Sequence, residues 1–334
     1  MVHTSPYAGR WYPDQPDELR AALSEVFENS CRRTGGAVFP RGLGFVVPHA
    51  APVYSGTVAA SVYRHLQHQR PQRILLVGFS HSNGHKGVYA PDVDEYRTPL
   101  GEVPVDRGLL HELRSHPVFQ FVDESRVCDH SVEIQLPLLQ TVLPHCSVTP
   151  LYVGCLDSSQ RREAAAALAQ LLDGHTVMIA SSDLTHYGRT FRYEPFPLNR
   201  RTGERLKELD HGTIDAASSL EPSLFLDEIR ATGSTVCGLN PIALLLETMK
   251  HAQGAASKEI FQATLDYQTS GEITGDFGHS VSYGALGYFP ASSFELDAAD
   301  QARLFEAART SLDRFIATGQ REARTTLNRS FGCR

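Results

Sequence analysis

Three residues announce chemistry in this chain: His49, His81 and Cys237. His49 closes the apolar run Leu43-Gly44-Phe45-Val46-Val47-Pro48, and His81 follows Ile74-Leu75-Leu76-Val77-Gly78-Phe79-Ser80. Short apolar runs bounded by turn residues read as buried strands. In an α/β sheet, a side chain just past the C-terminal end of such a strand projects into the crevice where ligands bind. Two imidazoles delivered there, with a thiolate from a third segment, make a three-ligand metal site with open positions. A structural zinc site would instead close four ligands around the ion. Cys237 sits in the turn Val236-Cys237-Gly238-Leu239-Asn240-Pro241, where a helix start would lower the thiol pKa and favour thiolate. A reactive thiol without metal is the competing role. For His49 taken alone, the competing role is a core histidine satisfied by a carbonyl.

Two further segments carry candidate acids and bases. In Ser181-Ser182-Asp183-Leu184-Thr185-His186, Asp183 and His186 are three apart, a spacing that shares a face on one helical turn. A carboxylate beside an imidazole fixes its tautomer and raises its basicity, so His186 is the candidate general base, with Asp183 as its partner or as a helix N-cap. Asp129-His130-Ser131-Val132-Glu133 has the polar and acidic content of a helix start. His130 can face the pocket from such a turn, and Glu133 is a catalytic candidate whose competing role is local capping. His81 is preferred over His85 as ligand because it lies closer to the strand end; His85 is expected on the loop surface.

The elements that must position these residues are legible as apolar runs at 43–47, 73–79, 147–154, 176–180 and 280–289. Helical patterns lie at Pro16–Phe27, Gly56–Leu66, Arg161–Leu172 and Pro241–Ala252. Their alternation predicts an α/β layered domain with a central mixed sheet flanked by helices, spanning residues 1–290. From 291 to 334 the character changes. Asp297 can cap a helix in which Leu304, Ala308, Leu312 and Phe315 line one face, Gly319 can end it, and an arginine-bearing polar tail follows. Such a helix must dock on the body, pair in a homodimer, or belong to a further domain.

Composition narrows the classes. Hydrophobic content of 41% and charged content of 21% are those of a globular protein. A net charge of −7 argues against nucleic-acid or anionic-membrane binding. No stretch approaches a membrane span and no signal-peptide layout opens the chain, so a cytoplasmic protein is expected. The six cysteines lack CxxC spacing and are expected to be free thiols.

Taken in order, several segments resemble the Memo family, whose fold is similar to that of class III extradiol ring-cleaving dioxygenases. They are Ala8-Gly9-Arg10-Trp11-Tyr12, Pro48-His49-Ala50 with Tyr54-Ser55-Gly56, Gly78-Phe79-Ser80-His81 and Tyr96-Arg97-Thr98-Pro99-Leu100. Further along come His130-Ser131-Val132-Glu133 with Gln135-Leu136-Pro137, Ser181-Ser182-Asp183 with His186, and Val236-Cys237-Gly238 with Asn240-Pro241. The resemblance implies His49, His81 and Cys237 as metal ligands, with Asp183 and His186 in the same pocket and His186 in place of the dioxygenases' catalytic histidine. It puts Trp11 and Tyr54 at the rim. It also implies AMMECR-type and radical-SAM partner proteins, with Ala298–Gly319 similar to the opening helix of a truncated AMMECR-type domain. Ala51-Pro52 departs from the family's usual Gly and Tyr, and Asp129 from its more usual Glu; neither removes a ligand.

Two histidines with a carboxylate mark Fe(II) oxygenases, and replacing the carboxylate by thiolate softens the site toward copper or zinc. One mononuclear ion is expected, Fe(II) first, copper next, then zinc. The favoured reading is a dioxygenase-like oxidoreductase using O₂ on a small chelating or phenolic substrate. Redox sensing or metal handling is the second reading, and peptide or phosphopeptide binding the third. A phosphopeptide site would call for clustered Arg, and Arg97 with Arg189 and Arg192 are the nearest approach to one.

Overall fold

The computed structural model describes residues 1–36, 38–39, 41–81, 84, 86–256, 259–294 and 298–318. Its strands are β1 (Val2–Thr4), β2 (Gly44–Val47), β3 (Arg73–Gly78), β4 (Val88–Pro91), β5 (Glu95–Thr98) and β6 (Gly101–Pro104). They continue with β7 (Phe119–Val122), β8 (Ser147–Val153), β9 (Thr176–Ser181), β10 (His186–Gly188), β11 (Ile260–Thr269) and β12 (His279–Pro290). The main sheet runs β10-β12-β2-β9-β3-β8-β4-β7, with β11 on the other edge of β12, and β1-β5-β6 form a separate small sheet. β2, β9, β3 and β8 are mutually parallel, while β12 and β4 join them antiparallel. The sheet is therefore mixed, and its centre is a parallel block.

That block follows from the sequence. Every residue of β2 and β9 is buried, as is all of β3 after Arg73, which is the continuous apolar reading of strands covered on both faces. The covers are two groups of helices. Pro52–Gln69 packs with Pro16–Thr34 and Gln135–Val142; Leu239–Ala256 packs with Ser158–Gln170 and Pro222–Thr232. Pro16, Pro52 and Pro222 each occupy the first turn of their helix, where the missing N–H costs nothing. A reciprocal Asp157–Gln160 capping box starts Ser158–Gln170.

The expected strands and helices are present, with helix ends extended by several residues. The helix expected at Gly56–Leu66 begins at Pro52, and Val58–Leu66 is buried without a break. The helix Ala298–Thr318 is present, and its stripe residues Leu304, Leu312 (58%) and Phe315 are exposed. Asp297, Gly319 and the arginine-bearing tail lie outside the described residues, as do His85 and Cys333. Cys128, Cys146, Cys155 and Cys237 are free thiols, and no described helix is long and apolar enough to cross a membrane.

His65 shows what burial in this core does to a titratable group. Its Nδ1 donates to the Ser61 carbonyl at 2.7 Å, its Nε2 has no partner among the described residues, and Phe39, Phe45 and Phe289 surround the ring. Burial pushes its pKa down to about 4. Between the unfolded value of about 6.5 and that folded value, the unfolded chain binds a proton that the native chain does not. The stabilisation is whole above the unfolded pKa and is lost as the pH falls toward about 4. Urea unfolding of wild type and His65→Leu between about pH 6 and 5 should show a slope lower by about 1 kcal/mol per pH unit in the variant; equal slopes would mean that His65 is already protonated in the fold.

Candidate metal centre

β2, β9 and β3 are adjacent, and the residues just past their C-terminal ends are His49, Asp183 and His81. Neighbouring strands lie about 4.8 Å apart, so the strand order alone brings these side chains within reach of one another. Cys237 arrives from the turn before Leu239–Ala256. One ligand atom each from His49, His81 and Cys237 lies within 4.8 Å of the others, and the same holds for Asp183, His186 and Cys237. The protein therefore has His/Cys/Asp groups that can hold a metal ion. The His49 Nε2–Cys237 Sγ separation is 3.3 Å.

Each imidazole is oriented through its far nitrogen. His49 Nδ1 lies 3.0 Å from Ser181 Oγ, which also accepts from Gln135 Nε2 at 2.9 Å. Gln135 is itself fully engaged, donating to the Pro48 carbonyl at 3.0 Å and accepting from the Tyr63 hydroxyl at 2.6 Å. Removing that amide would strand buried partners at about 1–3 kcal/mol each. His81 Nδ1 lies 2.8 Å from Asp129 Oδ1, and the His81 backbone N–H donates to Oδ2 at 3.0 Å. The Asp129 carboxylate accepts, so His81 Nδ1 carries the proton and its Nε2 keeps its lone pair for a cation; with its proton on Nδ1, toward Ser181, His49 would offer Nε2 in the same way.

Asp129 also caps the helix His130–Glu133 by accepting from Ser131 N–H at 2.9 Å. Gly78 lets that helix approach: a Cβ there would lie 2.5 Å from Ser131 Oγ, which donates to the Phe79 carbonyl and accepts from the Phe79 N–H. Burial would raise the Asp129 carboxyl, but the His81 hydrogen bond and the His130 and His81 charges outweigh it and hold it near about 2. Burial, then the neighbouring His81 charge, push His49 down to about 3. Burial likewise takes His130 to about 3.

Two expectations about local geometry are corrected. Asp183 and His186 do not share a helical turn, and Asp183 caps no helix. Residues 182–185 are irregular and His186 opens β10, paired with Val281. Asp183 Oδ1 instead accepts from the N–H groups of His49 (2.8 Å) and Ala50 (3.4 Å), fixing the turn that carries the first ligand. Burial raises its pKa against the His186 charge and those donors. Nor does the helix start make Cys237 a free thiolate. The Gly238 N–H goes to Ser182 Oγ at 2.9 Å, and burial followed by the Asp183 charge pushes the thiol well above its usual value. A bound cation would have to displace that proton.

The cavity over these residues is about 540 Å³, with Arg10, Trp11, Ala51, Tyr54, His130, Asp183 and His186 among its walls. Trp11 and Tyr54 line it, and His130 lies tilted against Trp11 (ring centroids 4.4 Å) and stacked on His81 (4.0 Å). Glu133 does not line it; its carboxylate meets His3 Nε2 at 3.0 Å. Phe191, Asp276, His279 and Tyr283 also line the cavity and were not expected. Three of them belong to the start of β12 or the turn before it. Because β12 runs antiparallel to β2, its beginning lies at the same edge as the other strands' ends, a place that a search of C-terminal strand ends passes over.

The Memo-like protein family matches residues 4–287. The chain belongs to that family. Among its relatives, a MEMO1 family protein of Methanosarcina barkeri is 34% identical, covering 84% of this chain and 97% of its own. The memo-1 homolog of Caenorhabditis elegans is 28% identical over 84% of this chain and 81% of its own. MEMO1 of Rattus norvegicus is 28% identical over 84% and 94%. In this Memo-like chain the family's fold meets a donor set held in place by Ser181 and Asp129. Replacing such an orienting carboxylate costs about 10- to 100-fold in metal affinity. Asp129→Ala should therefore weaken Co(II) binding by about that factor in a chelator competition, while the folded far-ultraviolet spectrum persists. An unchanged affinity would show that His81 is positioned without Asp129 or is not a ligand.

Proposed function

We propose that this Memo-like chain is a mononuclear metal-dependent oxidoreductase, dioxygenase-like, acting on a small chelating or phenolic substrate. The observation that carries the reading is that His49, His81 and His186 line one cavity, while Cys237 offers its sulfur within 4.8 Å both to the His49–His81 pair and to the Asp183–His186 pair. His49, His81 and Cys237 would hold the ion, and the fit is one of donor type: two neutral nitrogens with oriented partners and one sulfur suit Fe(II) or copper, then zinc. When bound, iron or copper would supply Lewis acidity and one-electron chemistry with O₂.

The chain's own residues do the rest. His186 Nδ1 lies 3.1 Å from the Leu184 carbonyl and 3.2 Å from the Thr235 carbonyl. Carbonyl oxygens only accept, so Nδ1 carries a proton, and in the neutral tautomer Nε2 offers its lone pair as a base. The His186 backbone is clamped by Thr235, whose Oγ1 accepts from its N–H at 2.8 Å and donates to its carbonyl at 2.9 Å. Such a fixed imidazole suits removal of a phenolic proton. Trp11, Tyr54, Phe191 and Tyr283 present apolar walls to a ring-shaped substrate. The walls include Arg10 but neither Arg97, which pairs with Glu102 at 2.7 Å, nor Arg189 and Arg192. This favours a small substrate over a phosphopeptide.

The test is oxygen consumption by anaerobically purified, Fe(II)-loaded protein across a panel of catechols and related chelating phenols. His186→Gln should lower kcat by about 10²- to 10⁴-fold with metal content unchanged, and Cys237→Ala should lose the metal. Retained metal with no consumption across the panel would overturn the oxygenase reading in favour of metal handling. Full turnover by His186→Gln would remove the base.

A further inference from the structure

We propose that His3, Cys128 and Glu133 form a second cation site, suited to Zn(II), on the far side of the Asp129-capped helix from the His49–His81–Cys237 centre. One ligand atom from each of the three lies within 4.8 Å of the others. They come from separate places. His3 is in β1, opposite Tyr96 of β5 in the small sheet; Cys128 precedes the helix cap; Glu133 ends the helix His130–Glu133.

The surroundings are built as a metal site requires. His3 Nε2 is 3.0 Å from Glu133 Oε1, while its Nδ1 is 3.0 Å from Glu124 Oε2. Glu124 can thus hold the ring through Nδ1–H while Nε2 faces the site, the carboxylate–histidine–metal arrangement that fixes a ligand's tautomer. The Tyr96 hydroxyl lies 3.4 Å from Cys128 Sγ, placed to donate to a thiolate. The side chain of Glu133 is 1% exposed, and its Oε2 has no hydrogen-bond partner among the described residues. A simple ion pair accounts for only part of this. A proton shared by His3 and Glu133 satisfies Oε1 and leaves Oε2 as a buried acceptor without a donor. A divalent cation in place of that proton would engage the carboxylate, the imidazole and the sulfur together.

The donor set of one nitrogen, one sulfur and one carboxylate is a zinc set. Three protein ligands leave a fourth position for water, and neither His3, with 14% of its side chain exposed, nor Cys128 is fully closed off from solvent. The site lies outside the cavity described above, whose lining includes none of the three residues.

Stoichiometry on the metal-stripped full chain tests this, with Zn(II) in chelator competition and Co(II) read by its thiolate charge-transfer band. Wild type should bind two ions and Cys237→Ser one, the latter still with the thiolate band. Cys237→Ser combined with Cys128→Ser should lose that band. Combined with His3→Gln, it should lose affinity by about tenfold or more. His3→Arg supplies a fixed charge to both glutamates and so preserves the fold; in the Cys237→Ser background it should bind no ion. A folded Cys237→Ser chain that takes up no Zn(II) or Co(II), or whose Co(II) band survives Cys128→Ser, overturns the proposal. A wild-type chain holding one ion, lost with Cys128→Ser and kept with Cys237→Ser, would sustain it while removing the metal from the proposed function.

Discussion

An imidazole buried at the end of a parallel strand is unfavourable unless both of its nitrogens have work to do. His49 is 2% exposed, so this constraint bears fully on it, and much of the surrounding sequence answers to it. Ser181, the last residue of β9, meets Nδ1; Gln135 meets Ser181; Tyr63 and the Pro48 carbonyl complete Gln135. That chain of contacts crosses from one sheet strand to two helices, so the orientation of a single ring depends on how the helical layer sits on the sheet. The remaining nitrogen is left facing a thiol, 3.3 Å away, and a second imidazole, an arrangement that can also take a cation.

The segment carrying Cys237 is held by hydroxyl groups rather than by a strand ladder. Gly238 N–H meets Ser182 Oγ, Ser234 and Thr185 meet through their hydroxyls, and Thr235 brackets the His186 backbone. Gly238 must be glycine for this contact, since a Cβ would lie 2.4 Å from that of Ser182 and 2.6 Å from the Ser181 carbonyl. Side-chain hydroxyls of this kind give the backbone partners without extending regular structure. The sulfur is thereby delivered beside Asp183, whose charge opposes a thiolate. A cation held there would offset the repulsion between the Asp183 carboxylate and a Cys237 thiolate.

The same logic explains what could be read from residue types and what could not. His49 and His81 were legible because parallel strands covered on both faces must be continuously apolar, which makes their ends conspicuous. Cys237 was legible from the Gly and Pro around it. The turn at Asp183–His186 was misread as helical because three-residue spacing is ambiguous, and Ser, Asp and Thr are weak helix formers. There, long-range contacts to Thr235 and Val281 decided the backbone. The short strands of the small sheet expose residues in β1 and β6 and leave no apolar run to notice. Glu133 was found as a polar residue near a helix start, but its direction toward His3 depends on a strand some 130 residues away, which no local pattern records.

That direction matters for the centre itself. Asp129 holds His81, and the backbone of Asp129 continues directly into Cys128 on one side and into the helix ending at Glu133 on the other. The Asp129 N–H donates to the Tyr152 hydroxyl at 3.3 Å, so this junction is tied to β8 as well. A cation bound by His3, Cys128 and Glu133 would fix both flanks of Asp129 at once. Without that cation Asp129 would still be held by Ser131, Tyr152 and the His81 backbone, so the ion would adjust the position of the cap rather than create it. On the proposal above, the second ion would act on the His49–His81–Cys237 centre through position rather than charge. The turn between them continues through Ile134 into Gln135–Val142 and is held by the Ser131–Phe79 hydrogen bonds, so a displacement at Glu133 would reach Asp129 through a packed backbone.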